Sequence, residues 1–258
     1  MTGRLENKIG IITGGGSGIG LASARLFLNE GAVVIIAGTS DERNQKVAGE
    51  LNEQHPGKCE YVHCDVRVKE DDEHLINHVF STYGRCDYYF ANAGYAGPTD
   101  VEPATYDFEV FDRIFKTNVY GLFYQMTTLL PLMEKQGSGS IILTSSASPF
   151  TPCSCPSYSA SKGATRAYMM DLANLEAPKG IRINKVVPGV IVTDMTKQIT
   201  DPSLKGTEFY EYFINMIPAK KFCPPEAVAE AALFFASDAS SHCIGAELKV
   251  DDGFINQC

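Results

Sequence analysis

Lys8-Ile9-Gly10-Ile11-Ile12-Thr13-Gly14-Gly15-Gly16-Ser17-Gly18-Ile19-Gly20 is the stretch that decides the fold. An apolar run of strand length leads directly into a glycine-rich turn. Apolar residues then return at helical spacing, with Ile19, Ala22 and Leu26 on one face and Gly31 as the C-terminal cap. Glycines permit positive φ and let a ligand approach the backbone closely. The helix that follows offers free N–H groups and the positive end of its dipole. A strand–turn–helix context makes this turn a pyrophosphate cradle rather than a merely tight connection.

Outward from that unit the alternation continues. Apolar runs predict strands at 8–13, 32–37, 59–64, 87–91, 140–144, 181–187 and 247–250. Amphipathic stretches predict helices at 18–30, 41–53, 68–83, 106–135, 157–177 and 225–236. Strands alternating with helices imply right-handed βαβ units. The expected fold is α/β: one doubly wound, Rossmann-type domain over 1–258, with a parallel sheet of about seven strands and helices on both faces. The least regular stretch, 193–222, is read as a substrate lid.

Bulk properties narrow the function. The chain has 258 residues, 44% hydrophobic and 21% charged, which excludes a disordered chain. A formal net charge of −9 argues against nucleic acid as a partner. Apolar runs such as 32–37 are too short to cross a bilayer, so no membrane partner is expected. The first eight residues hold no apolar signal core, and the cytoplasm is the expected location. Cysteines 59, 64, 86, 153, 155, 223, 243 and 258 are scattered and read as free thiols. Cys153 and Cys155 have no second Cys/His pair near them in sequence, so no metal is expected.

Tyr158 and Lys162 stand four residues apart, on one face of a helix. A free tyrosine ionises near ~10, too high for proton transfer at neutral pH. A neighbouring ammonium favours the phenolate. The pair is chemically sensible as a general acid/base, although Y-x-x-x-K alone is as easily a solvated helix face.

Motifs in order along the chain carry a resemblance. They are Gly14, Gly18 and Gly20 in the spacing G-x-x-x-G-x-G, then Asp65-Val66, Ala91-Asn92-Ala93-Gly94, Asn118, Ser145-Ser146, Tyr158 with Lys162, and Pro188-Gly189 with Thr193. Together they resemble the compact branch of the short-chain dehydrogenase/reductase family over nearly the whole chain. The resemblance implies an NAD(P)-dependent oxidoreductase that acts on CH–OH groups and interconverts a secondary alcohol and a ketone. By the same resemblance Tyr158 is the proton donor, Lys162 also binds the nicotinamide ribose, Ser146 holds the substrate oxygen and Asn118 a relay water. Gly14, Ser17, Gly18, Ile19, Gly20, Asp65, Val66, Asn92, Ile191 and Thr193 would line the cofactor, with Thr193 on the nicotinamide amide. Three departures stand out. Ser146 lies twelve residues before Tyr158, one fewer than is common; it is taken as the active hydroxyl, with Ser145 the alternative. Ala91 replaces an asparagine. Asp251-Asp252-Gly253 stands where D-G-G is common, leaving one carboxylate without a role.

Cofactor choice is read at the end of the second strand, where an acidic residue would select NAD. Gly38 stands there, followed by Thr39 and Ser40, and Arg43 is near. With no carboxylate to repel a 2′-phosphate, NADP(H) is favoured over NAD(H), although Ser17 is not basic and Asp41 is close. Tyr95, Phe150, Pro152, Cys153, Cys155, Met195, Phe209, Tyr210, Tyr212, Phe213 and Met216 are expected around the substrate, with few cations among them. Such walls suit a bulky apolar or cyclic, even steroid-like, small molecule. A 3-oxoacyl thioester reductase, a sugar or polyol reductase and a non-catalytic dinucleotide sensor are the alternatives. The longer nucleotide-sugar branch has a different glycine spacing. Phe108, Phe111, Ile114, Phe115, Val119, Leu122, Phe123 and Met126 exceed one helical stripe, which predicts a second buried surface and a homotetramer.

Overall fold

Strands β1 (Ile9–Thr13), β2 (Val33–Gly38), β3 (Cys59–His63), β4 (Tyr88–Ala91), β5 (Gly139–Thr144), β6 (Ile181–Pro188) and β7 (Glu247–Val250) form one parallel sheet in the order β3-β2-β1-β4-β5-β6-β7. The computed structural model describes residues 3–98, 106–151 and 155–257. The crossovers are α1 (Gly18–Asn29), α2 (Asp41–Gln54), α3 (Lys69–Tyr83), α4 (Phe108–Phe115), α5 (Gly121–Gln136) and α6 (Pro156–Glu176). After β6 come α7 (Lys197–Thr200), α8 (Glu208–Met216) and α9 (Pro225–Ala236).

β1, β2 and β4 are apolar on both faces because both are covered. Ile11, Ile35, Tyr89, Ile141 and Ile183 point into one core against α3, α5 and α6. Their neighbours Ile12, Ile36, Phe90, Ile142 and Val186 point into the other, against α1 and α9. Period-2 side-chain geometry thus makes two cores from single runs. Strand order reverses at β1, which pairs with both β2 and β4. Ligands bind open α/β sheets at the carboxyl ends of the strands flanking such a switch.

Two readings change. The helix expected over 106–135 is not uniform: between α4 and α5 the backbone makes a π-helical turn, Lys116–Tyr120, closed by the Gly121 N–H donating to the Lys116 carbonyl. One inserted residue leaves hydrophobic spacing nearly intact, so periodicity does not reveal it. The stretch expected to be irregular contains α7, α8 and two 3₁₀ turns. The expected thiols fare better: Cys59, Cys64, Cys86, Cys223 and Cys243 are free.

Candidate active site

The glycine turn leaves β1 with Gly14 at φ 66° and Gly18 at φ 49°. A Cβ on Gly20 would sit 2.1 Å from the Gly14 carbonyl oxygen, so α1 packs onto the turn only because no side chain intervenes. Ser17, the N-cap of α1, has an extended backbone and makes no side-chain cap bond. The first N–H groups of α1 are left without a side-chain acceptor of their own. That is the donor set a pyrophosphate requires, and the turn fits a dinucleotide.

Asn92 is spent on structure. Its backbone N–H donates to Thr13 Oγ1 and its side-chain amide to the Thr13 carbonyl, each at 3.0 Å; its Oδ1 accepts from Thr144 Oγ1 at 3.0 Å. The side chain therefore ties β1, β4 and β5 together at the strand ends. Thr13 has no motif signature, and strand pairing alone exposes its role.

A cavity of about 280 Å³ opens at those ends. It brings together Gly14, Ser17, Gly18, Ile19, Asn92, Ser145, Ser146, Tyr158, Lys162, Ile191 and Thr193 from the sequence expectations. Gly20 lies beneath it. Gly38, Thr39, Ser40, Asp65 and Val66 do not line it; they stand at the ends of β2 and β3, where an adenosine would extend. The Asp65 carboxylate is bound by the Arg67 guanidinium, and Val66 is buried against Gly121. Cys153 and Pro152 lie outside the described residues. Tyr95 is not in the cavity wall: its ring is covered by the Arg113 guanidinium at 4.3 Å, while its backbone pairs twice with Asn118.

Lys162 is buried and donates from Nζ to the Thr144 carbonyl at 2.7 Å, 5.7 Å from the centre of the Tyr158 ring. Burial lowers this ammonium from its ordinary 10.5 to about 8. Asn118 sits in the π-helical turn with its amide donating to Tyr95 O and to Ser161 Oγ. Ser161 in turn donates to the Tyr158 carbonyl at 2.7 Å, so Asn118 is locked to the turn of α6 that carries Tyr158. A Cβ on Gly94 would contact both Asn118 Oδ1 and Lys162 Nζ, which places all three together. The two serines differ: Ser146 Oγ accepts from the Ser148 N–H at 3.1 Å, whereas Ser145 Oγ is buried with no partner. Thr193 caps the next 3₁₀ turn through Thr196 and also lines the cavity.

The distal walls are apolar: Ala147, Val190, Met195, Ile199, Phe213 and Phe254. Of the aromatic residues expected from the lid, only Phe213 reaches in; Phe209, Tyr210 and Tyr212 engage Phe213 or Phe222 edge to face. Ile199 and Phe254 carry no sequence signal for this role. Lys162 is the one cation and Asp194 the one carboxylate among the described lining residues.

A family model described as "Enoyl-(Acyl carrier protein) reductase" matches residues 14–255. Secoisolariciresinol dehydrogenase of Forsythia intermedia is 36% identical over 257 residues, covering 97% of this chain and 90% of that one. The 7alpha-hydroxysteroid dehydrogenase of Escherichia coli (strain K12) is 31% identical over 255 residues, covering 98% and 96%. The crystal structure of levodione reductase superposes with a TM-score of 0.92 at 27% identity, covering 99% and 100%. The chain belongs to the short-chain dehydrogenase/reductase family. It is an oxidoreductase that acts on the CH–OH groups of small molecules and depends on a nicotinamide dinucleotide.

Proposed function

We propose that this enzyme interconverts a bulky, neutral, ring-containing secondary alcohol and its ketone, with NADP(H) preferred. The observation that carries the substrate reading is the distal cavity wall: it is apolar, and the one cation among the described lining residues, Lys162, is already bonded to Thr144 O. A phosphorylated or coenzyme A substrate calls for fixed cations, and the wall offers none to spare. Burial of apolar surface drives binding of a neutral ring instead. The 7alpha-hydroxysteroid dehydrogenase is, by its name, active on a steroid hydroxyl, which agrees with this class.

The bound nicotinamide supplies or accepts the hydride. The residues handle the oxygen and its proton. Tyr158 gives the proton to the carbonyl oxygen in reduction and takes it back in oxidation. The Lys162 ammonium supports negative charge on the phenolic oxygen and orients the cofactor ribose. Asn118 holds Tyr95 and Ser161 so that α6 keeps its place. Ser145 is the hydroxyl we assign to the substrate oxygen, in preference to Ser146: its Oγ is buried at the cavity and unpartnered, a cost that a substrate oxygen would relieve, whereas Ser146 Oγ already accepts from Ser148 N–H. Residues 193–222 act as the lid. For the cofactor, Gly38 presents no carboxylate, and the Asp41 carboxylate is already occupied by Tyr61 OH at 2.5 Å and His63 Nδ1 at 2.6 Å. Arg43 has no ion pair among the described residues and is available to a 2′-phosphate.

A ketone panel with NADPH and NADH tests the reading. Cyclic and polycyclic ketones should give the highest kcat/KM. A clear preference for a sugar or an acyl thioester overturns the assignment.

A further inference from the structure

We propose that the C-terminal turn is the specificity wall of this site: Phe254 contacts the substrate body, and Asp251 is the positioning residue that holds it there. This rests on the reading of the cavity as a site for an apolar alcohol.

The path of the chain makes the case. β7 ends beside β6, and the Gly189 N–H donates to the Val250 carbonyl at 3.0 Å. A Cβ on Gly189 would lie 2.8 Å from Asp251 Cα, so the loop after β6 and the end of β7 touch backbone to backbone. The chain then reverses through Asp252 at φ 51° and Gly253 at φ 88°. Gly253 has no room for a side chain, since its Cβ would meet Pro218 Cγ at 2.9 Å. The Asp251 carboxylate closes the reversal. Oδ1 accepts from the Gly253 N–H at 3.1 Å and Oδ2 from the Ile255 N–H at 2.8 Å. Charged acceptors make such bonds about twice as strong as neutral ones, and Asp251 is only 8% exposed.

The reversal fixes where the next residue points. Phe254 is 4% exposed and lines the same cavity as Ser145, Tyr158 and Phe213, packed with Ala147, Val187 and Ile217. Ile217 and Pro218 are the foot of the lid. One aspartate therefore couples the pocket wall, the lid foot and the loop after β6. Asp251, which matches the aspartate of D-G-G, clamps the turn. The extra carboxylate belongs to Asp252, which stands at φ 51° where the chain reverses.

The experiment compares a fused bicyclic secondary alcohol with 2-butanol, reading kcat and KM separately, and titrates NADP⁺ by fluorescence for each variant. Wild type should favour the bicyclic alcohol; a preference for 2-butanol overturns the substrate reading on which this rests. Phe254→Ala should lower the bicyclic-to-butanol ratio of kcat/KM at least tenfold, Phe254→Leu about threefold. Asp251→Asn keeps one acceptor and sets an N–H against a backbone N–H, so it should lower the ratio several-fold through KM of the bicyclic alcohol. A ratio within twofold of wild type in Phe254→Ala overturns the proposal. If Phe254→Ala fails to bind NADP⁺, Phe254→Leu decides on the same criterion: a fall supports the wall and an unchanged ratio overturns it.

Discussion

Asp72→Asn should flatten the pH dependence of stability. Asp72 lies on α3 with no exposed surface. Oδ1 accepts from Cys64 Sγ at 3.4 Å, while Oδ2 is buried with no partner. The Gln125 amide and Cys64 favour the carboxylate, and burial, helped by Asp71 and Asp65, opposes it. Burial dominates and moves this carboxyl from an ordinary 3.8 to about 8. A carboxyl raised on folding binds its proton more tightly in the folded chain. Its stabilising contribution is fully present below about pH 3.8 and is lost as pH rises through about 8. At ~1.4 kcal/mol for each pH unit between those limits, the whole window spans about 6 kcal/mol, and the step from pH 5 to pH 7 about 3 kcal/mol. Asparagine has the same shape and does not titrate. Burying its amide N–H groups there costs about 1–3 kcal/mol for a donor left unpaired, a cost that does not vary with pH. Urea unfolding of both proteins at pH 5, 6, 7 and 8 gives the difference directly. The variant should gain on wild type by about 3 kcal/mol between pH 5 and 7. A difference constant across that range would show that Asp72 does not hold a proton in the folded enzyme.

Four further outcomes are expected. Tyr158→Phe should cut kcat by roughly 10²–10⁴ while leaving the dinucleotide dissociation constant near wild type, and near-normal turnover would remove Tyr158 from the chemistry. Lys162 loses its ammonium as pH rises through about 8, so kcat/KM for reduction should fall above that pH; a profile flat to pH 10 contradicts the role given to the charge. NADPH should exceed NADH in kcat/KM, and Gly38→Asp should shift preference towards NADH, with the Asn44 amide yielding to a Cβ 2.9 Å away; a wild-type preference for NADH refutes this. Tyr120 and Phe123 are about half exposed, as is Met170 on α6, and light scattering should find a homotetramer that Phe123→Glu weakens; a wild-type monomer at micromolar concentration rejects that surface as an interface.

Local chemistry made much of this protein legible from its sequence. Buried strands need unbroken apolar runs, helices need one apolar face, and a phosphate turn needs glycine, so β1, the turn and α1 appear in the sequence within a residue or two of their observed bounds. Tyr158 and Lys162 are readable because their spacing is a helical turn. What depends on contacts between distant segments is not readable. Thr13 serves Asn92 only because β1 lies beside β4. That Ser145 Oγ is buried without a partner while Ser146 Oγ has one, the basis of the proposed choice between them, is a matter of packing that a spacing rule does not contain. Tyr95 faces Arg113 and the lid aromatics face one another, because an aromatic ring packs on whatever the fold sets beside it. Phe254, which no motif marks as a pocket residue, lines the cavity because the sheet ends there and one buried carboxylate turns the chain inward.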